Sequence, residues 1–127
     1  IAAAEPEHYF YADQYSNPAN PLAHLLTTGP ELWRQTEGRI THFVAGLGTS
    51  GTMMGVGRYL RGLSPSIRLV GVQPDGAAHG IQGLKYLDGA DVPAIYDPAR
   101  VDQIENVSTS EATAMARELA EFSVEGS

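Results

Sequence analysis

The first third of the chain alternates short apolar runs with turn-forming residues, which predicts short elements joined by tight connections. The aromatic run at residues 9–11 favours a short β-strand, and the leucines of residues 22–26 have helical spacing. Residues 28–31, Thr-Gly-Pro-Glu, have the form of a capping box with proline near the first helical turn. A second helix is therefore predicted to begin there, to run to about Thr36 and to stop at Gly38.

The centre of the chain has the pattern strand, glycine turn, helix, strand. Residues 40–45 are β-rich and end in glycines, residues 53–60 return to helical spacing, and residues 67–72 form the next β-rich run. About one crossover separates the two strand candidates, so we expect a right-handed βαβ unit with parallel strands. The pattern favours an α/β fold.

The last third combines a long irregular segment with a well-marked helix start. Residues 75–103 contain Gly and Pro throughout, which is typical of a segment that carries a binding loop. Residues 108–111, Ser-Thr-Ser-Glu, form a second capping box. The helix predicted after it has five apolar residues on one face: Ala112, Met115, Ala116, Leu119 and Phe122.

Composition narrows the class of protein. The 127 residues suffice for one domain with one core, and no apolar run is long enough to cross a bilayer. The net charge of -7, without a cluster of Lys or Arg, argues against nucleic acid or a membrane as partner and favours a small ligand. Because the chain has no cysteine, disulfides, Cys-ligated zinc and thiol catalysis are excluded within it, and a cytoplasmic location is the simplest expectation. No metal-ligand spacing relates the four histidines, so no metal site is predicted: His8, His24, His42 and His79.

The most informative motif is a glycine- and hydroxyl-rich stretch where the first strand of the βαβ unit passes into its helix: Gly46-Leu47-Gly48-Thr49-Ser50-Gly51-Thr52. Glycines let the backbone turn sharply and approach a ligand closely. The first amides of a helix are unpaired, and the helix dipole favours an anion there. Three hydroxyl side chains add further donors. The motif therefore predicts a phosphate site.

Other interpretations of this loop remain open. It has the composition of a plain tight turn with hydroxyl caps, and Gly46, Gly48 and Gly51 match the dinucleotide fingerprint. That fingerprint requires an acid at the end of the next strand, whereas Asp75 lies beyond a proline. A P-loop lacks its lysine here, and a hydrolase elbow lacks its Gly-x-Ser-x-Gly pattern. The hydroxyl content favours a phosphate monoester over a bridging pyrophosphate.

Residues 48–52, together with their flanks from Phe43 to Leu60, resemble the phosphate loop of cysteine synthases and cystathionine β-synthases. These are fold-type II pyridoxal-phosphate enzymes. Four further segments, which fit the same family in order and spacing, are residues 13–20, 27–33, 81–84 and 92–97. The resemblance spans roughly residues 9–120. It implies an α/β, parallel-sheet three-layer domain of the tryptophan synthase β-like type, present here in part.

The resemblance also implies pyridoxal 5'-phosphate as cofactor and a β-replacement reaction that joins O-acetylserine, or a related activated serine, to sulfide and yields cysteine. Residues implied to hold the cofactor phosphate are Gly48, Thr49, Ser50, Gly51 and Thr52. Gly83 is implied to line the cofactor ring and the amino-acid channel, and Gln14 to lie near the substrate carboxylate. An amino-acid substrate and a homodimeric parent protein are the partners implied, without nucleic acid or membrane.

One residue that the family requires is missing. Its members carry a Schiff-base lysine in a Ser/Thr-x-Lys-Asp-Arg-like motif, well before the segment matched here, and this chain has no such motif. Its single lysine, Lys85, has unrelated surroundings and is predicted to be a loop or channel residue. No catalytic residue is therefore assigned within the chain.

The chain starts at Ile1 without a methionine and stops directly after a helical pattern, so we expect a fragment. Residues 1–127 are expected to form a single partial domain, without the family's N-terminal lysine region and C-terminal strands, and to be inactive alone. A nucleotide-binding Rossmann-type domain and a non-catalytic phosphate-binding module remain the alternative hypotheses.

Overall fold

A three-stranded parallel sheet forms the centre of the protein, in a computed structural model that describes residues 2–89 and 91–125, with side chains described as far as residue 123. The strands are β1 (His42–Gly46), β2 (Arg68–Pro74) and β3 (Gln103–Val107), and β2 lies between the other two. Both pairings are parallel, as the βαβ pattern predicts. The α/β fold with a parallel sheet is thus confirmed. Both ends of the chain, Ile1 and Gly126–Ser127, lie outside the described residues, as does Ala90.

Helix α3 (Gly51–Leu63) connects β1 to β2 and supplies much of the core. Its Met53, Val56 and Leu60 are fully buried and belong to the same apolar cluster as Leu69 of β2. Burying a large aliphatic side chain contributes about 1.5–3 kcal/mol, so this helix anchors the loop that precedes it. The predicted helix at residues 53–60 is confirmed and extends further at both ends.

A continuous helical run precedes β1 and packs mainly against α3. It consists of α1 (Ala19–Ala23), a π-helical turn (His24–Thr28) and α2 (Gly29–Gln35). The two layers approach so closely that a Cβ on Gly55 would lie 2.1 Å from the Pro21 carbonyl oxygen. Only glycine fits this crossing, which brings α1 beside the N-terminal half of α3.

The capping box predicted at residues 28–31 is wrong, although the end of the helix is where the sequence predicts it. Thr28 has helical backbone angles and makes no side-chain cap hydrogen bond, because the helix starts nine residues earlier, at Ala19. An N-cap requires a non-helical backbone at the first boundary. The C-terminal prediction is confirmed: Gly38 has φ 68° and its N–H donates to the Trp33 carbonyl at 2.9 Å.

The strand predicted at residues 9–11 is also wrong. These residues have no regular secondary structure, and Tyr9, Phe10 and Tyr11 are 51%, 88% and 69% exposed. Aromatic residues favour strands because they pack against neighbouring strands, and no described strand lies beside this run. Local composition alone therefore does not produce a strand here.

The described residues between β2 and a 3-10 helix at Pro98–Arg100 are irregular, in line with the prediction for residues 75–103. Strand β3 follows it and was not predicted. Its start is fastened by Asp102, whose carboxylate accepts a hydrogen bond from the Leu69 N–H at 2.7 Å and pairs with Arg61 of α3. Three elements thus meet at one carboxylate.

Helix α4 (Thr109–Glu125) begins at the second predicted capping box, which is confirmed. The Glu111 N–H donates to the Ser108 hydroxyl at 3.2 Å, and the Ser108 N–H donates to the Glu111 carboxylate at 2.9 Å. Met115, Leu119 and Phe122 on its predicted apolar face are more than half exposed. Among the described residues, no helix is both long and apolar enough to cross a membrane.

Candidate functional site

The predicted phosphate loop lies at the carboxyl end of β1, where the chain turns into α3. Leu47 is fully buried, and its N–H donates to the Val72 carbonyl at 2.8 Å, so the loop begins as an extension of the sheet. Ser50 then adopts left-handed backbone angles, φ 72° and ψ 1°, as the N-cap of α3. The Gly51 N–H donates to the Thr49 hydroxyl at 3.3 Å. Because the first amides of a helix have no partner within the helix, they and the helix dipole make the turn suitable for an anion.

A second loop, which carries Gly83, closes over the phosphate loop. A Cβ on Gly48 would lie 2.3 Å from the Gly83 carbonyl oxygen, so the two backbones touch directly. The Lys85 N–H also donates to the Leu47 carbonyl at 2.8 Å. Gly83 itself has φ 84°, a conformation that side chains disfavour. Two site residues predicted from separate motifs, Gly48 and Gly83, are therefore in contact.

Asn20 at the start of the helical run ties a third segment to the site. Its side-chain amide donates to the Thr49 hydroxyl at 2.9 Å and to the Gln14 carbonyl at 2.8 Å. A Cβ on Gly51 would lie 1.9 Å from the Asn20 side-chain oxygen, so this glycine leaves the space that Asn20 occupies. Gln14 is thus linked to the loop through its backbone, while the residue itself is exposed.

Asn20 was not predicted as a site residue. The sequence signal was present, because Asn20 closes the Asn-Pro-Ala-Asn stretch that carries part of the family resemblance. That stretch alone does not show which of its residues faces the glycine loop.

The hydroxyl of Ser50 is buried and has no hydrogen-bond partner within the described part of the chain. Leaving a buried polar group unpaired costs about 1–3 kcal/mol. An anion oxygen that reached this hydroxyl would relieve that cost. This unpaired donor, together with the close backbone of the two glycine loops, fits a phosphate group.

His24 connects the last residue of the loop to the helical run. The Thr52 hydroxyl lies 3.4 Å from His24 Nε2, and His24 Nδ1 lies 2.9 Å from the Thr28 hydroxyl. The imidazole therefore orients a hydroxyl at the N-terminus of α3.

Lys85 lies beside the phosphate loop, between two open cavities. One cavity of about 240 Å³ is lined in part by His79, Lys85 and Asp91, and another of about 320 Å³ is lined in part by Tyr15, Lys85 and Asp91. The ammonium group lies 4.7 Å from the centre of the Tyr15 ring, at cation–π distance. The loop that carries Gly83 therefore forms a wall of both cavities.

Tyr96 lies near the same loop and has a perturbed phenol. Burial raises its pKa, and the carboxylates of Asp88 and Asp97 raise it further. The phenol therefore stays protonated to a higher pH than that of a free tyrosine.

Fold and site together define a parallel α/β domain in which a glycine- and hydroxyl-rich loop passes into the N-terminus of a helix. The donors that converge on the glycine loop are amides and hydroxyls, which suit an anion. Among the residues that the structure describes, no group of three or more His, Asp or Glu could hold a metal ion.

Comparison with known proteins gives the family. The chain matches the family described as "Pyridoxal-phosphate dependent enzyme" over residues 1–125, and it belongs to that family. It is 53% identical over 115 residues to a cysteine synthase of Aquifex aeolicus, an alignment that covers 91% of this chain and 35% of the relative. It is 47% identical over 109 residues to cysteine synthase B of Pseudomonas aeruginosa, with 85% and 36% covered.

A solved structure agrees with the sequence relatives. The crystal structure of a cysteine synthase from Entamoeba histolytica superposes with a TM-score of 0.86 at 34% identity, covering 96% of this chain and 38% of that one. The chain thus spans 35–38% of the length of these relatives. The predicted family and the predicted fold-type are confirmed.

Proposed function

We propose that this chain is the cofactor-phosphate-binding part of a cysteine synthase-like enzyme, which replaces the β-substituent of an activated serine by sulfide. The observation that carries the proposal is the unpaired, buried hydroxyl of Ser50 in a glycine loop at the N-terminus of α3. Membership of the pyridoxal-phosphate family and identity of 53% to a cysteine synthase support it.

In this proposal the residues from Gly48 to Thr52 hold the phosphate of pyridoxal 5'-phosphate through backbone amides and hydroxyls. Asn20 orients the Thr49 hydroxyl, and His24 orients the Thr52 hydroxyl. Gly83 lines the cofactor ring, since its loop lies directly over Gly48.

The amino acid would enter beside the loop that carries Gly83. Gln14 is proposed to lie near its carboxylate, because the Gln14 backbone is tied to the phosphate loop through Asn20. When bound, the cofactor supplies the electron sink for the negative charge that develops on the amino acid. The residues of this chain bind the cofactor phosphate and orient the amino acid.

The reactive lysine is proposed to lie in a part of the natural protein outside residues 1–127. Lys85 is the only lysine of this chain. Its ammonium group stacks on Tyr15 at the cavity wall, a position that suits a channel residue.

The first experiment tests the phosphate site in the whole natural protein that contains this sequence. Pyridoxal 5'-phosphate and pyridoxal are titrated in turn, so that the difference in affinity isolates the phosphate. A hydrogen bond to a charged group contributes about 1.5–3 kcal/mol, so Ser50→Ala should weaken binding of the phosphorylated form by about tenfold or more and leave pyridoxal unchanged.

The matched control is Ser66→Ala, which removes a hydroxyl from an exposed serine between α3 and β2. Equal affinities in the two variants would contradict the assignment of the phosphate to Ser50. Tighter binding of a dinucleotide than of pyridoxal 5'-phosphate would favour the nucleotide-binding alternative.

A second experiment tests the location of the lysine. Borohydride reduction followed by peptide mass analysis should locate the cofactor on a lysine outside this chain, with Lys85 unmodified. An adduct on Lys85 would refute that assignment. Formation of cysteine from O-acetylserine and sulfide is the expected activity, and its absence from cofactor-loaded protein would contradict the proposed reaction.

A further inference from the structure

Gln73 near the carboxyl end of β2 is a buried polar residue without a role in the site described above. It is 2% exposed, and its side-chain amide makes three hydrogen bonds. The oxygen accepts from the Leu87 N–H at 3.1 Å. The nitrogen donates to the carboxylate of Asp88 and to the side-chain oxygen of Asn106, each at 2.9 Å. Both amide hydrogens are used.

These bonds join the sheet to the loop that carries Gly83. Asn106 belongs to β3, whereas Leu87 and Asp88 follow Lys85 and Tyr86 in that loop. The loop is thus held at two points: the Lys85 N–H bonds to the phosphate loop, and the Leu87 N–H bonds to Gln73. Lys85 and Tyr86, which both line one of the cavities, lie at and between these points.

We propose that Gln73 is a positioning residue, which holds the loop of residues 83–89 against the phosphate loop and so sets the shape of the cavity beside it. It acts through Leu87 and Asp88 and contacts no ligand itself. That Gln73 holds this loop in place is inferred from the hydrogen bonds alone. That the shape of the cavity affects binding of the amino-acid substrate rests on the proposed function.

The amide at position 73 satisfies all of its neighbours. A carboxylate would still accept from the Leu87 N–H, but it would face the carboxylate of Asp88 without a proton between them, and like charges at that distance repel. Gln73→Glu should therefore release this end of the loop.

Changing Asp88 as well restores a complementary donor and acceptor. With Gln73→Glu and Asp88→Asn together, the new carboxylate accepts from the new amide at position 88. The side-chain amide of Asn106 can turn over so that its nitrogen donates to the same carboxylate. The double variant should therefore recover the clamp with the same atoms in reversed roles.

The test is amide hydrogen exchange in the whole natural protein without cofactor. Exchange of the Leu87 amide and of its neighbours in residues 84–89 should become at least about tenfold faster in Gln73→Glu, because the hydrogen bond opens more often. In the double variant it should return to within about threefold of the starting protein. Gln35→Glu, the same change on exposed α2, is the control and should have no effect.

Equal exchange in Gln73→Glu and in the control, or a double variant that stays as open as the single one, would overturn the proposal. If Gln73→Glu does not fold, the double variant decides: a folded protein with the original exchange supports the clamp, and a misfolded one refutes it.

A kinetic measurement connects the clamp to the proposed function. In cofactor-loaded protein, Gln73→Glu should raise the KM for the amino-acid donor about tenfold with less than a threefold change in kcat, and the double variant should recover the original KM. A protein that binds no pyridoxal 5'-phosphate would refute the proposed function and leave the exchange result intact. Altered exchange with unchanged KM would refute the link between the clamp and the amino acid.

Discussion

The contact between Gly48 and Gly83 gives the sharpest prediction for the site. In Gly48→Ala the new Cβ would lie 2.3 Å from the Gly83 carbonyl oxygen. Carbon–oxygen contacts normally lie at about 3.3 Å or more, so the two loops must separate by about 1 Å. The obstacle is backbone, which cannot rotate away as a side chain can. We expect a loss of about 1–3 kcal/mol in unfolding free energy, as for other overpacked positions.

The same shift should impair the proposed phosphate site. A separation of about 1 Å removes at least one charge-assisted hydrogen bond of about 1.5–3 kcal/mol, which corresponds to a tenfold or larger loss of affinity for pyridoxal 5'-phosphate. Affinity is measured by titration of the whole natural protein. Stability is measured by thermal denaturation, in which each kcal/mol lowers Tm by roughly 2–4 °C for a protein of about 150–250 residues.

The matched control is Gly62→Ala near the end of α3. A Cβ there meets nothing within 4 Å, and alanine favours a helix over glycine by about 1 kcal/mol, so this variant should be slightly stabilised and bind normally. If Gly48→Ala melts and binds like Gly62→Ala, the contact between the two loops does not shape the site, and the argument from it fails.

Two further predictions concern the frame around the site. Asp102→Asn should cost about 1–2 kcal/mol at neutral pH, because the carboxylate pairs with Arg61 and accepts the Leu69 amide. The Arg61 guanidinium and that amide lower the pKa of Asp102. The stability that the carboxylate contributes is therefore present above about pH 4 and is lost as pH falls through the lowered pKa. Acid denaturation of Asp102→Asn should lack this loss of stability, and an acid transition identical to that of the starting protein would contradict the prediction. Ser108→Ala should raise the pKa of Glu111 towards its usual value and fray the start of α4, which carboxyl NMR titration and amide exchange would detect; an unchanged pKa would show that the capping box does not form in solution.

The sequence predicted the elements whose residues carry a local signal. Strands β1 and β2 are β-rich and flank a helix of the right length, so their parallel pairing followed from the crossover rule. Strand β3 had no such signal. Its residues before Val107 are all exposed, and its extended form depends on the pairing with β2 and on the fastening of Asp102. Non-local contacts of this kind leave little trace in composition.

The two capping boxes show the same distinction. Residues 28–31 and residues 108–111 have nearly the same form, yet only the second starts a helix. The helical run that begins at Ala19 reaches residue 28 already formed, and its packing against α3 outweighs the local preference of Thr28 for a cap. A start signal is decisive only where the preceding residues are not already helical.

For the site, the glycine loop was predictable because its composition expresses its own geometry. The contact of Gly48 with Gly83 supports the separate predictions of these two residues, whereas Asn20 and Gln73 act through residues 29 and 14 positions away, respectively. Neither distance is visible as a pattern in the sequence.

The two segments that hold the phosphate loop also determine when in folding the site can form. Asn20 and Thr49 are 29 positions apart, and Gly48 and Gly83 are 35 apart, so both contacts require closure of long chain loops. Such contacts form later than local helices, because their entropy cost must be met first. We therefore expect phosphate binding to be regained among the last steps of refolding. Cofactor that is added at the start of refolding should then leave the initial rate of refolding unchanged, while it slows unfolding of the folded protein.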